Sequence, residues 1–558
     1  MENENLVSAM KIGPQFLWLF WLASLVTQSF AQQPAGAPSA THHRQEGIRD
    51  LQNREPRKAL DHFRAAVRMD PQDAESQFFI GAILCDSGQP EAAVPELLKA
   101  IDLNRKFHLS HYYLALAFDR MGRTAEAIIA YQEALRLKPE FHDARYALSA
   151  ACWKHGDLDG AIRLLREVIE VKPDFAEARF NLALGLKQKG NLDEAIKELQ
   201  IVSRSQPAQA RVYLALGQAL AEKHRLAEAV ETLQRAADLA PGDPEYRYNL
   251  GIALKQKDDF VAAEKEFREA LKLNPGYLLA RRALGLVLRQ KGEFRAAVEE
   301  LRAAVAGRPD DAEARHNLGT VLLKLNDPEG AIIELSQAVR LDPRLSEARI
   351  NLAQAFRKAG RAEDARGEME ASERVMTQKA NAGRALILTE TAAQRVKAED
   401  LKTAIAELRE AVSLNPESLE AHFLLASTLG QSSADPTEIT KSLRRVLELN
   451  PRHAPAHYQL GLVFESQGKR AEAMAEYRSA VELAPSFIEA RRALGKAAME
   501  VKDWETAATQ FRGVIAWAPK DAAAHHQLSL ALRALGRLEE ADHEFRTAQQ
   551  LNPSLKAP

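Results

Sequence analysis

The chain has 558 residues, with 75 Lys and Arg against 77 Asp and Glu, for a formal net charge of −2. That balance excludes a general nucleic-acid binder, which needs a positive excess to displace counterions from phosphate; the length excludes a single compact core. Hydrophobic residues make up 46% of the chain and aromatics only 6%, so the apolar material is largely Ala and Leu and favours helix.

From the amino terminus, residues 16–26 read FLWLFWLASLV, an uncharged apolar run about half the ~20 residues that span a bilayer. Ser29 and Ala31 are small residues at −3 and −1 of a cut after Ala31, so 1–31 reads as a signal peptide and 32–39 as a flexible linker. Glu2 and Glu4 stand where positive charge is expected, and a start at Met10, followed by Lys11, gives a better n-region. The layout predicts an exported protein, periplasmic or secreted. The alternative is an anchor formed by the uncleaved segment.

From residue 40 onward the chain repeats itself. Pro139, Pro173, Pro207, Pro241, Pro275, Pro309 and Pro343 recur every 34 residues, with Pro71 two periods before Pro139; Pro416, Pro451, Pro485, Pro519 and Pro553 continue the series. With this proline as position 32, position 8 is small (Gly81, Ala115, Gly217, Gly251, Gly285, Gly319). Position 20 is alanine (Ala59, Ala93, Ala127, Ala161, Ala195 and onward), and position 27 is commonly alanine. Small residues at these places let two helices of about a dozen residues pack closely as a hairpin. The proline ends the second helix and presets the turn. Each hairpin has two apolar faces, so hairpins stack.

This pattern resembles the tetratricopeptide repeat family over residues 40–555. Fifteen units fit: ten in 40–379 and five in 385–555, with the insert ANAGR at 380–384 and a tail at 556–558. The resemblance implies an all-α, right-handed superhelical α-solenoid of about fifteen 34-residue helix-turn-helix repeats. In the tenth unit Ser372 and Thr377 replace alanine and proline. Without a proline stop the second helix is free to run on, making 346–384 either a hinge between two blocks or one drifted unit. Cys85 and Cys152 fall in the second and fourth units, too far apart for a disulfide, and are expected as free, partly buried thiols.

The family places positions 2, 5, 9 and 12 of each first helix on the concave face. Position 5 carries Phe78, Tyr112, Tyr146, Phe180, Tyr248 and Arg282, and position 12 carries Lys187, Lys255, Arg289 and Arg357. These residues are either aromatic anchors and basic hooks for an acidic or mixed peptide, or packing between hairpins and solvated charge. Asn181, Asn249, Asn317 and Asn351 all occupy position 6. An amide can pair with both N–H and C=O of a peptide, and the row resembles the asparagine ladder of the O-linked N-acetylglucosamine transferases, although Ala215 and Ala283 interrupt it. The other reading is that Asn-Leu-Gly is a consensus triplet kept by duplication. Arg recurs at position 4 (Arg145, Arg179, Arg247, Arg281, Arg315, Arg349, Arg491), often two residues after an acid, and reads as a solvated charge ladder. The Lys and Asn pair of a chaperone-tail clamp is missing.

No HExxH, CxxC, GxSxG or phosphate-loop pattern occurs, and no segment remains for a catalytic domain. The expectation is therefore a scaffold without catalytic residues, cofactor or metal. It would bind protein or peptide partners along its concave groove through the residues named above. The alternative is a structural component of an envelope export or assembly machine, working through its convex face and ends.

Overall fold

The structure, a computed structural model, describes residues 39–432 and 435–555. The expected signal peptide, the linker up to residue 38 and the tail at 556–558 lie outside the described residues. Among the described residues there are twenty-nine α-helices, each of 13 or 14 residues with one exception, and no strand. Fifteen hairpins would use thirty helices. The second helix of repeat 10 and the first of repeat 11 are a single 36-residue helix, Ala362–Lys397. Residues 380–384 lie inside it, since nothing at Thr377 blocks the helix from continuing.

The hairpin turn has one recurrent device. Position 15 is left-handed in fourteen repeats, at φ between 57° and 94°. Eight of these residues are glycine, such as Gly88 and Gly190; the rest are Arg54, His224, Asp258, Asn326, Glu399 and Lys502. Side chains at φ > 0 are strained, so the turn geometry is imposed by the packing of the two helices it joins.

That packing is tight. A Cβ added at Gly81, Gly217, Gly285 or Gly319 would stand 2.5 or 2.6 Å from Cγ of Leu97, Leu233, Leu301 or Leu335, sixteen residues on. Those leucines are fully buried, each contributing about 1.5–3 kcal/mol of apolar transfer. Position 20 alanines such as Ala59, Ala127 and Ala297 are also sealed.

The recurring arginine at position 4 does more than the sequence pattern suggests. In five of the seven its partner is a Glu nineteen residues on, in the second helix of the same hairpin: Arg179–Glu198, Arg247–Glu266, Arg281–Glu300, Arg315–Glu334 and Arg349–Glu368, at 2.5 to 3.0 Å, while Arg145 meets Glu167 at 3.1 Å. Arg281, Arg315 and Arg349 also donate to the carbonyl of the preceding repeat's proline, at Pro275, Pro309 and Pro343. The expectation of a solvated ladder is therefore corrected: the side chain staples one hairpin together and fastens it to the previous one. The acid two residues ahead serves elsewhere, as Glu313 does with Arg282. His457 and His525 replace arginine in repeats 13 and 15 with the same two partners, Glu476 and Pro451, and Glu544 and Pro519.

The chain forms two compact units. Unit 2 is Arg179–Glu438, and unit 1 takes the residues up to Ala178 and from Ile439 onward, a division different from one at the 380–384 insert. Unit 1 thus draws on both ends of the array. Within it the second helix of repeat 3, Thr124–Leu137, packs against that of repeat 14, Trp504–Trp517. Trp517 joins the same buried cluster as Tyr112, Tyr131 and Leu164. Cys85 and Cys152 are buried and free.

Candidate binding surface

Ten of the twelve candidate residues lie in unit 2 and two, Tyr112 and Tyr146, in unit 1. The position 5 aromatics are drawn into the stack. Phe78, Tyr112 and Phe180 are buried, while Tyr146 and Tyr248 are half-buried. Each meets a second ring at position 34 of its own repeat: Phe78–Phe107, Tyr112–Phe141, Tyr146–Phe175, Tyr248–Tyr277 and Tyr458–Phe487, with centroids 4.9 to 5.3 Å apart. Where position 34 is Gln209, the Arg211 guanidinium lies over Phe180 instead, 4.8 Å from its centroid. Tilted and edge-on pairs at this spacing contribute about 0.5–1.5 kcal/mol beyond their area. The rings therefore join each first helix to the turn that leads to the next repeat.

The asparagines have intramolecular partners. Asn249 and Asn317 donate through Nδ2 to the carbonyls of Glu245 and Glu313, four residues back, at 2.9 and 2.7 Å. Asn249 Oδ1 accepts from Gln218 Nε2 at 3.0 Å, and Gln218 Oε1 accepts from Lys187 Nζ at 3.0 Å. A polar chain thus crosses repeats 5, 6 and 7. Asn351 Nδ2 reaches the preceding repeat, where it meets Thr320 Oγ1 at 2.9 Å and His316 Nε2 at 3.0 Å. Asn181 is buried. Gln218 and Thr320 both stand at position 9, opposite position 6 of the next repeat. Position 9 belongs to the expected face, yet its role as partner to the asparagines had no separate sequence signal.

The basic residues divide into two sets. Lys187 pairs with Glu222 at 3.1 Å, and Arg282 with Asp311 and Glu313 at 3.2 and 2.8 Å. Lys255 and Arg289 are less well served. Burial, with Arg282 nearby, holds the Lys255 ammonium below its ordinary pKa, and Arg289 Nε is buried without a hydrogen-bond partner. Burial likewise lowers His316. Among the described residues no group of His, Cys, Asp and Glu could hold a metal ion, and no helix is long and apolar enough to cross a membrane.

Models of the tetratricopeptide repeat match residues 44–106, 83–140, 112–174, 146–198, 180–244, 248–312, 282–346, 316–375 and 441–486. Further models of the same description match 464–528 and 522–555. No curated protein matches the chain. Among solved structures, YrrB, titled a TPR protein with an unusual peptide-binding site, is 25% identical; the match covers 33% of this chain and 94% of that one, with a TM-score of 0.31. MamA from Desulfovibrio magneticus RS-1 is 28% identical over 30% of this chain and 94% of that one, with a TM-score of 0.29. A chain of the APC/C hetero-tetramer Cut9–Hcn1 is 16% identical over 92% of this chain and 98% of that one, with a TM-score of 0.33. Repeat models laid in phase along most of the sequence, on hairpins with the geometry described above, show that the chain belongs to the tetratricopeptide repeat family, whose arrays mediate protein–protein interaction.

Proposed function

We propose that the chain is a non-catalytic scaffold that binds extended polypeptide along the face lined by the first helices of unit 2, and that acidic side chains of the partner are read there. The observation that carries this reading is the pair Lys255 and Arg289, half-buried cations at the same position of successive repeats, with donor capacity unspent. Partial burial of an unpaired cation is costly, and an incoming carboxylate would relieve it through charge-assisted bonds. Asn317 spends its Nδ2 on its own helix and keeps its amide oxygen as an acceptor for a ligand N–H. Repetition along the stack would sum weak contacts into avidity. The proposed setting is the periplasm or the cell exterior, on the strength of residues 1–31, and cell fractionation of the full-length protein tests it.

Fluorescent ten-residue peptides, acidic, neutral and basic, test the binding mode by anisotropy. The acidic set is expected to bind tightest, and Lys255→Ala with Arg289→Ala to weaken it about tenfold, the effect of ~1.4 kcal/mol. Replacing Asn181, Asn249, Asn317 and Asn351 with Ala should weaken all three sets alike. Equal binding of the three sets, unchanged in both variants, would send the search to other faces of the array.

A further inference from the structure

Both ends of the array meet inside unit 1, and the contact has a polar centre. Asp157 is the N-cap of the second helix of repeat 4, Leu158–Val171. Its Oδ1 accepts from Gly160 N at 2.9 Å, and its Oδ2 accepts from Ser486 N at 3.1 Å, 329 residues further on. Arg163 Nη2 donates to Ser486 O at 3.2 Å, and its guanidinium lies 4.9 Å from the centroid of the Trp517 ring. His155 Nε2 lies 2.6 Å from Glu482 O, and His155 O accepts from Arg452 Nη2 at 3.3 Å. Asp157, Ser486 and Trp517 are 5%, 6% and 8% exposed, so water is largely excluded from the contact.

At one turn in the C-terminal repeats the contact supplies an acceptor that the local sequence lacks. In seven other turns the N–H at position 33, after the proline or, at Lys106, after Arg105, is taken by the Asn or Asp two residues ahead of it: Gln72 by Asp70, Lys106 by Asn104, Gly276 by Asn274, Arg344 by Asp342, Glu417 by Asn415, Arg452 by Asn450 and Ser554 by Asn552, at 2.9 to 3.2 Å. Ahead of Ser486 that place is Ala484, which has no acceptor, and Asp157 supplies it. The staple of repeat 14 lies beside this contact. Arg491 Nε bonds Pro485 O at 2.7 Å, but nineteen residues on stands Gln510, which accepts from Nη1 at 3.1 Å in place of the usual Glu. Arg491 is buried, and burial pulls it down to about 10; the carboxylate that opposes this is again Asp157. Asp157 thus replaces the missing acceptor of the Ser486 turn, and a buried polar group left without a partner costs ~1–3 kcal/mol.

We propose that Asp157 is the catch of an intramolecular latch within unit 1: repeat 4 completes the turn of repeat 13 of the same chain, which withholds the packed second helices of repeats 3 and 14 from partners. This does not rest on the polypeptide reading of unit 2, and its test uses no ligand.

Hydrogen exchange of the full chain at the Ser486 amide reads the latch directly. The references are Ala208 and Asp310, the same turn position behind Gln206 and Arg308, which offer no short acceptor side chain. Ser486 is expected to exchange at least tenfold more slowly than both, at protein concentrations differing a hundredfold. Asp157→Asn keeps a cap oxygen for Gly160 but turns a donor toward Ser486, and should remove that protection, as should Arg163→Glu. Asp327→Asn, the same cap in repeat 9, should leave it intact. The Gly160→Cys, Ser486→Cys pair gives a second readout, because a Cβ at Gly160 would lie 2.7 Å from Ser486 Oγ. On mild oxidation it should cross-link within monomers. Ser486 exchanging at the reference rate would overturn the latch. Protection lost on dilution, or cross-links found only in dimers, would assign the contact to two copies and overturn it equally.

Discussion

Removing one staple tests the account of how the hairpins are held. Arg315 reaches Glu334 Oε2 at 2.7 Å and Pro309 O at 2.7 Å, with the Arg and Glu side chains 16% and 20% exposed. Hydrogen bonds to charged groups contribute about 1.5–3 kcal/mol when buried, and fully exposed ion pairs only ~0.2–1 kcal/mol. At this exposure a coupling of roughly 1–2 kcal/mol is expected, or about 5–30-fold in a local opening constant. Arg315→Met keeps the packing of the aliphatic stem, and Glu334→Gln keeps the shape of the acid. Stacked repeats open locally, so a global unfolding midpoint is the wrong quantity. Native-state hydrogen exchange over residues 309–334, in wild type, both single variants and the double variant, closes the cycle. The Arg315 variant should also loosen the turn at Pro309, in the preceding repeat, whereas the Glu334 variant should act within its own hairpin. A coupling under about 0.5 kcal/mol, the range in which independent sites simply add, would refute the staple and restore the reading of a solvated ladder.

Other expectations follow from the same geometry. In repeats 13 and 15 the staple is histidine, 2.6 Å from Glu476 and from Glu544. The bond to Glu476 raises His457, and at His525 burial opposes but Glu544 prevails. A folded-state pKa above the unfolded ~6.5 gives a stabilisation that is full below that pH and is lost as pH rises through the folded-state value. Amide protection in these two repeats, corrected for intrinsic exchange, should therefore fall from pH 6 to 8 relative to repeats 8 and 9, and His457→Arg should flatten the profile for repeat 13; parallel profiles without the mutation would contradict this. Lys502 sits at φ 59°, so Lys502→Gly should stabilise repeat 14 by about 1 kcal/mol, and a loss of local protection would count against strain at that turn. Burial raises Cys85 to about 12. Thiol reagents at pH 8 should accordingly label it only after denaturant is added, and rapid labelling of the native chain would show the site open.

The period of 34 made the hairpins legible because Gly at position 8 and Ala at position 20 are demanded by helix contact, and contact repeats with the unit. The long helix through 380–384 was legible for a similar reason, since the missing proline at Thr377 is a missing stop signal. The site was harder to read. The aromatics at position 5 and the amides at position 6 recur whether they serve a ligand or the stack, and one chain read alone cannot separate these uses. Their partners, Phe107 and Phe141 at position 34 or Gln218 and Thr320 at position 9, are set by how one hairpin rotates on the next. The arginine staple was misread for a comparable reason: Glu334 stands nineteen residues from Arg315, a spacing that belongs to neither helix alone but to the hairpin that joins them. The acceptance of Ser486 N by Asp157 had no distinguishing sequence signal, since Ala240 and Ala518 stand at the same place as Ala484.

An array whose units touch only their neighbours can gain or lose whole units, since each new hairpin finds the same two interfaces. The bond from Asp157 to Ser486 removes that freedom for everything between them. Deleting or duplicating one unit in this stretch would carry the catch away from its seat, however well the altered stack packed locally. The number of repeats there becomes an inherited quantity in its own right. Residue identity can drift along unit 2, but its length is expected to hold.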